Sequence, residues 1–295
     1  MKAAFLPDRG VVKVAGADAR TFLNGLLTSD VTQATPAAAK FAALLTPQGK
    51  IVVDCIVTEA PADDGGGFFL DCPRALAQDF ARKLNFYKLR AKATVEDLSE
   101  TLGVMGIWDG AGDTEYALVY SDPRVPTLGQ RAILPSNLAT KAADDLGATL
   151  VDASEYEAHR IALGVPRGGL DFIYGDAFPH ETDMDQLNGV DFNKGCYVGQ
   201  EVVSRMEHRG TARTRIVPYA AAVHSPDVGV AVMAGDKQIG TTGSAAGTCG
   251  LAMLRLDRYA DALADGTPIT AGGIALTPGK PQWARFDWPS GQASS

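Results

Sequence analysis

The apolar positions change period several times along the chain, and each change predicts an element. Residues 10–14 alternate as a short strand does. Asp18 stands where a helix N-cap belongs, ahead of Phe22, Leu23, Leu26 and Leu27 on one helical face. Two apolar runs, 41–46 and 51–59, flank Pro47-Gln48-Gly49-Lys50 and read as a hairpin. A loop at 63–67 leads to a strand at 68–70, and Leu76, Phe80 and Leu84 then recur at helical spacing behind Pro73. Residues 115–120 predict another strand and 122–126 a proline-rich loop. Residues 139–146 and 154–163 predict helices, the second with Ser154 as cap and Glu157 at the capping-box position. From 168 to 199 no period holds, and a stretch that long in a compact domain usually lines a site.

Beyond Arg213 the texture changes. Short runs at 216–223, 228–233, 238–242, 251–256 and 271–277 are broken by glycine pairs and Asp-Gly turns, the pattern of a small β-barrel or sandwich. The expectation is an α+β chain: an α+β region over 1–210, a C-terminal β-barrel over 211–290 and a tail at 291–295.

Composition narrows the function classes. The 295 residues are 46% hydrophobic and 21% charged, ordinary for a globular protein, with a net charge of −8. That balance argues against direct nucleic-acid binding by bulk charge, although 82–92 and 205–215 are locally basic. The first residues carry no apolar leader and no stretch can span a bilayer, so a cytoplasmic location and no membrane partner are expected. None of the four cysteines forms a C-x-x-C pair, which argues against a structural zinc or a chain-borne cluster motif. Cys55, Cys72 and Cys249 read as small core hydrophobes.

Cys196 differs. The run Lys194-Gly195-Cys196-Tyr197-Val198-Gly199-Gln200-Glu201 sets a thiol beside a lysine and between glycines. A nearby cation favours the thiolate, while the bland alternative is a glycine-rich loop around a buried thiol. Asp54 lies inside an apolar strand, where a carboxylate must be hydrogen-bonded or form a pocket wall. It either accepts from a ligand's ring N–H groups or points to water beside Lys50. Residues 179–185 offer His180 and carboxylates without the H-E-x-x-H spacing, so no firm metal site follows. Residues 235–250 are glycine-rich but lack G-x-G-x-x-G. A Cys196–His hydrolase with His159, His180 or His208 stays open. Residues 86–90 set aromatics among bases, either to stack on a flat anionic ligand or as a solvated helix end.

From Lys194 to Arg205 the chain resembles the folate-binding YgfZ family, whose signature K-G-C-[FY]-x-G-Q-E-x-x-[AS]-R is matched by Lys194, Gly195, Cys196, Tyr197, Gly199, Gln200, Glu201, Ser204 and Arg205. The opening from Asp8 to Asp18, Phe22-Leu23, Asp30-Val31 and Gln48-Gly49-Lys50 resemble the family as well. The resemblance implies kinship with the glycine cleavage T-protein: a T-protein-like folate-binding region of interleaved subdomains followed by the barrel. It implies tetrahydrofolate or a one-carbon derivative as ligand, with Asp54 at the pterin and Arg90 and Arg205 toward the glutamate tail. It implies a role in assembly or repair of iron–sulfur enzymes, tRNA-modifying ones included. Cys196, its pKa lowered by Lys194, would contact a transient cluster, and assembly or client proteins would be the partners. Where T-proteins carry L-R-L-E-A-G, this chain has Arg160-Ile161-Ala162-Leu163-Gly164, and Ala162 accepts no hydrogen bond. T-proteins have no thiol at Cys196. His180-Glu181 and Gly164-Val165-Pro166 look more like the mitochondrial iron–sulfur assembly branch. An aminomethyltransferase-like enzyme and a non-catalytic docking module are the alternatives.

Overall fold

The computed structural model describes residues 1–210 and 212–289; the tail expected at 291–295 lies outside them. The chain divides into two compact units, Met1–Tyr156 with Leu187–Gln200, and Glu157–Gln186 with the chain from Glu201 onward.

The first unit runs β1 (Lys2–Phe5), β2 (Arg9–Ala15), α1 (Ala19–Asn24), β3 (Lys40–Leu45), β4 (Ile51–Glu59), β5 (Phe68–Pro73), α2 (Arg74–Lys88), β6 (Thr94–Asp97), β7 (Leu102–Trp108), β8 (Leu118–Ser121), β9 (Gln130–Pro135), α3 (Ala139–Asp145) and β10 (Thr149–Leu150). Two five-stranded sheets result, ordered β3-β4-β5-β2-β6 and β10-β1-β7-β9-β8. In the first sheet, Val12, Val14, Ala42, Leu44, Val53, Cys55, Leu70 and Cys72 share one face and pack on Leu23 of α1 and Phe80 and Leu84 of α2. Alternation sends Val11, Asp54, Ile56 and Asp71 to the opposite face. The second sheet packs Ala3, Met105, Ile107, Ala132 and Leu134 on Ala142 and Ala143 of α3.

The expected hairpin, the strand after the 63–67 loop and the Leu76/Phe80/Leu84 helix are all present. β1, β6, β7, β9 and β10 had no counterpart in the pattern. Six of the seven residues of β7 are buried, so both of its faces are apolar and the alternation that marks a strand is absent. Gly106 in β7 leaves the space that the Tyr156 ring fills, since a Cβ there would lie 2.6 Å from a ring carbon.

Two expected caps are corrected. Asp18 makes no side-chain bond to α1; its carboxylate accepts from the Lys92 amide at 2.7 Å. The helix stops at Asn24, and Leu27 instead bridges Leu44. Ser154 already lies inside α4 (Ala153–Ala162), and Asp152 receives the Ser154 amide at 2.8 Å.

In the second unit, α5 (Gln200–Arg209) precedes β11 (Thr214–Ala221), β12 (Ala231–Ala234), β13 (Lys237–Ala246), β14 (Cys249–Arg255), α6 (Leu256–Ala264), β15 (Ile269–Ala271) and β16 (Ile274–Pro278). These strands close a barrel in the order β11-β14-β13-β12-β15-β16, with β11 also paired to β16. Closure removes every free edge. Val217, Tyr219, Val232, Ile239, Leu254 and Ala271 fill the core with Leu256, Tyr259 and Ala262 of α6. The chain is thus α+β with a C-terminal barrel. Cys55 and Cys72 are buried as expected, whereas Cys249, at the start of a barrel strand, is exposed.

Candidate functional site

The signature run forms a loop held on both sides of its thiol. On one side Lys194 Nζ donates to the carbonyls of Asn24 and Leu27, each at 2.6 Å, and lies 5.0 Å from the Tyr197 ring centroid. These are carbonyls of the last turn of α1 and the segment just after it, where oxygens lack helical partners. Burial pushes the amine down to about 8, against the pull of Asp30 and Asp191. On the other side Tyr197 is buried and Gly199 has φ +81°. A Cβ on Gly199 would meet the Thr46 carbonyl oxygen at 2.6 Å and Gly49 Cα at 3.1 Å, so only glycine lets the loop lie against the β3–β4 turn. Between the anchors Gly195 and Cys196 are exposed.

The segment before the loop is stitched to the same region. Thr28 Oγ1 donates to the Gly189 carbonyl at 2.6 Å and accepts from the Ala43 amide at 2.8 Å, while the Asp191 amide donates to the Thr28 carbonyl at 3.0 Å. Asn188, at φ +59°, donates its side-chain amide to the Pro123 carbonyl at 3.0 Å.

Asp54 is half-buried on β4, opposite Ala43. The face it shares carries a network that the sequence reading missed. Asp71, fully buried, accepts from Arg9 Nε at 2.6 Å and from Arg131 Nε at 2.7 Å. Arg131 also donates to Tyr156 Oη at 3.0 Å, and Arg124 chelates buried Asp122 at 2.9 and 2.6 Å. Although burial works against it, the Arg124 guanidinium holds Asp122 below the usual carboxylate range. Tyr120 Oη is buried there with no hydrogen-bond partner, and burial raises its pKa. The signal for the network was legible: Asp71 stands among Phe68, Phe69, Leu70 and Cys72 just as Asp54 stands among its apolar neighbours, and Arg131 precedes Ala132-Ile133-Leu134.

The other expected site residues are dispersed. Arg90 is exposed just past α2, whose buried side chains pack on the face of the first sheet opposite Asp54. Arg205 is exposed on α5 in the second unit, Gln200 begins that helix and Glu201 is exposed in its first turn. A cavity of about 670 Å³ in the first unit is lined by Phe69, Tyr116, Leu118 and Ile133 among others, and by none of Asp54, Arg90 or Cys196.

In the second unit His180, Asp185 and Glu207 place one donor atom each within 4.8 Å of one another, with His180 Nε2 3.1 Å from Glu207 Oε2. Both Asp185 oxygens are engaged by Arg215, at 2.6 and 3.0 Å, and Arg215 also donates to the His180 carbonyl at 2.7 Å. The trio reads as an ion-pair cluster holding the 180–185 loop to β11 and α5. Arg160, whose neighbour Ala162 departs from the T-protein pattern, is buried and ties Glu157, Asp171 and the Val165 carbonyl together.

Comparison with known proteins places this architecture. Residues 213–286 match the family described as CAF17, C-terminal beta-barrel domain. The chain is 37% identical over 229 residues to the iron–sulfur cluster assembly factor IBA57 homolog, mitochondrial, of Mycosarcoma maydis, an alignment covering 74% of this chain and 56% of that protein. It therefore spans little more than half the length of that fungal relative, and the Neurospora crassa relative is covered to 52%. With the Homo sapiens iron–sulfur cluster assembly factor IBA57, mitochondrial, identity is 30% over 311 residues, covering 97% of this chain and 85% of the human protein. Among solved structures, the glycine cleavage system aminomethyltransferase T from Bartonella henselae shares the fold, with a TM-score of 0.74 at 16% identity over 98% of this chain and 88% of that one. The cytoplasmic expectation is overturned, because these relatives are named as mitochondrial. A reading made for secretion leaves other compartments open.

Proposed function

Because the chain belongs to the family of the iron–sulfur cluster assembly factor IBA57, we propose that it works in iron–sulfur cluster assembly with Cys196 as the group that meets the cluster. The YgfZ family, to which the signature pointed, is a related one. The observation that carries the proposal is the exposed thiol between two fixed points, the Lys194 ammonium on one side and Tyr197 with Gly199 on the other. A thiolate on a pre-positioned loop can ligate iron without the cost of ordering the loop first. A cluster takes four protein ligands as a rule. Cys55 and Cys72 are buried with thiol pKa values raised by burial, which leaves Cys196 and the exposed Cys249 of the second unit, short of four. The remaining ligands would come from a donor or acceptor protein, which makes the cluster cargo. On this reading the clients include iron–sulfur enzymes that modify tRNA.

Tetrahydrofolate is the proposed ligand of the first unit, on the resemblance of the signature run to the folate-binding family. Two residues of the first unit fit the pterin end: a half-buried carboxylate at Asp54 on the first sheet and an orphaned phenol at Tyr120 on the second. Asp54 would accept from the ring N–H groups and Tyr120 would satisfy its hydroxyl on the ligand.

Two measurements test this. Cluster transfer to an apo acceptor, followed by visible circular dichroism, should fail with Cys196→Ala while thermal stability stays unchanged. Transfer at the wild-type rate would remove Cys196 from the reading. Calorimetric titration with tetrahydrofolate should show binding that Asp54→Ala loses, and no binding by the unaltered chain would remove the folate.

A further inference from the structure

Phe86 and Leu89 are 78% and 87% exposed at the C-terminal end of α2, the two most exposed large apolar side chains among the described residues. α2 buries Ala77, Phe80, Ala81 and Leu84, so its first-sheet face is accounted for. Arg82 and Lys83 stand four and three residues before Phe86, and Leu89 and Arg90 three and four after it. Helical spacing therefore sets two cations and Phe86 on one stripe away from the core, and Leu89 and Arg90 continue past its end. Five cations, Arg82, Lys83, Lys88, Arg90 and Lys92, fall between Phe80 and Val95 with no acid among them, in a chain of net charge −8. Among the described residues, Arg82 alone of the five forms a salt bridge with an acid, Asp79. Leu89 ends the helix at φ +46°, a backbone conformation that costs a branched apolar residue energy and that holds its side chain outside the core.

We propose that this helix end is a peripheral membrane-contact tip, which inserts Phe86 and Leu89 into the interface of an anionic bilayer while the surrounding cations meet the headgroups. The observations favour a bilayer over a protein face. The two side chains can bury only roughly 300 Å², against roughly 800 Å² per partner in a standard protein interface. Two apolar side chains ringed by lysine and arginine, by contrast, match the two-signal rule for reversible membrane attachment, in which a small inserted area and headgroup attraction act together. The contact needs no spanning segment, and no helix of the described residues is long and apolar enough to cross a membrane. Arg90 finds a role here that does not require it to reach Asp54.

The test is co-sedimentation of the full chain with vesicles of phosphatidylcholine alone and of phosphatidylcholine with about 30 mol% phosphatidylglycerol. Binding to the anionic vesicles alone is expected, falling steeply as salt is raised. Phe86→Ser with Leu89→Gly should lower the partition coefficient tenfold or more, and Arg90→Glu with Lys92→Glu should do the same. Leu89→Gly suits the φ of that position, so this substitution keeps the fold, which the thermal melt verifies. Absence of binding at low salt would overturn the proposal. So would vesicle binding that both double variants leave unchanged, or loss of that binding to a competing single-stranded oligonucleotide, which would assign the stripe to nucleic acid.

Discussion

Arg131 Nε lies 2.7 Å from Oδ2 of Asp71, and the other oxygen of that carboxylate is 2.6 Å from Arg9 Nε. Asp71 is fully buried and Arg131 nearly so, so this carboxylate pairs with two guanidinium groups, one of which also lies 3.6 Å from Asp122. Truncating one member of such a set leaves uncompensated charge in a poor solvent. Asp71→Ala is expected to cost about 3–5 kcal/mol of stability, read from urea unfolding of the variant against the parent chain. A loss below 1 kcal/mol would mean that water reaches the pair.

Lys194 gives the first unit a pH dependence whose sign follows from its burial. The amine titrates at about 8 in the folded chain and near 10.5 when unfolded. Below about 8 both states hold the proton and the burial penalty is fully present. Between about 8 and 10.5 the unfolded chain binds more protons, so stability rises with pH across that window. Unfolding free energies of wild type minus Lys194→Met, measured at several pH values, should climb through it. A flat difference would contradict the depressed amine.

Gly199→Ala forces a Cβ to within 2.6 Å of the Thr46 carbonyl oxygen at a φ of +81°. Backbone cannot retreat as a flexible side chain can, so about 2 kcal/mol or more should be lost. The loop should also leave its seat, and Cys196 should then react at a changed rate with a thiol reagent under native conditions.

Asp171 plays the same part in the second unit that Asp71 plays in the first. It accepts from Arg160 at 3.1 Å, the Arg167 amide at 2.7 Å, and both the amide and hydroxyl of Ser244 at 2.7 Å. Asp171→Ala should lower the unfolding midpoint by several degrees, since buried Arg160 loses an anion and two donors of Ser244 lose their acceptor. Glu157 softens the loss, because its carboxylate stays 2.8 Å from Arg160.

Much of the architecture was legible because burial on one face leaves a period behind. α2 buries one side and its helical spacing records it, while the β3–β4 hairpin, with β3 buried at five of its six residues, was marked by apolar runs on either side of the turn Pro47-Gln48-Gly49-Lys50. β7 left no period, being buried at six of its seven residues, and the buried stretches 3–4 of β1 and 131–134 of β9 are too short to show one. The signature run marked the loop around Cys196 correctly, yet sequence adjacency misjudged what Lys194 does: its hydrogen bonds run to carbonyls of the 24–27 segment, far away along the chain. Alternation in β4 turns Asp54 to the face of its sheet opposite the side chains that pack on α2, which a local reading could not tell. Which face a strand turns toward a partner depends on chain folded elsewhere, and no window of ten residues contains that information.

The first unit is completed by chain that is made late. Residues 187–200 return to it after a departure of thirty residues, and the Thr28 hydroxyl waits for the carbonyl of Gly189, 161 positions downstream. A ribosome that has released the first 156 residues has released both sheets and neither anchor of the Cys196 loop. Such distant pairing slows folding, because loop closure must precede the contacts that reward it. Within the first unit the thiol is therefore among the last groups to reach its seat, and a chain stalled before Lys194 is translated would leave the Asn24 and Leu27 carbonyls without its ammonium.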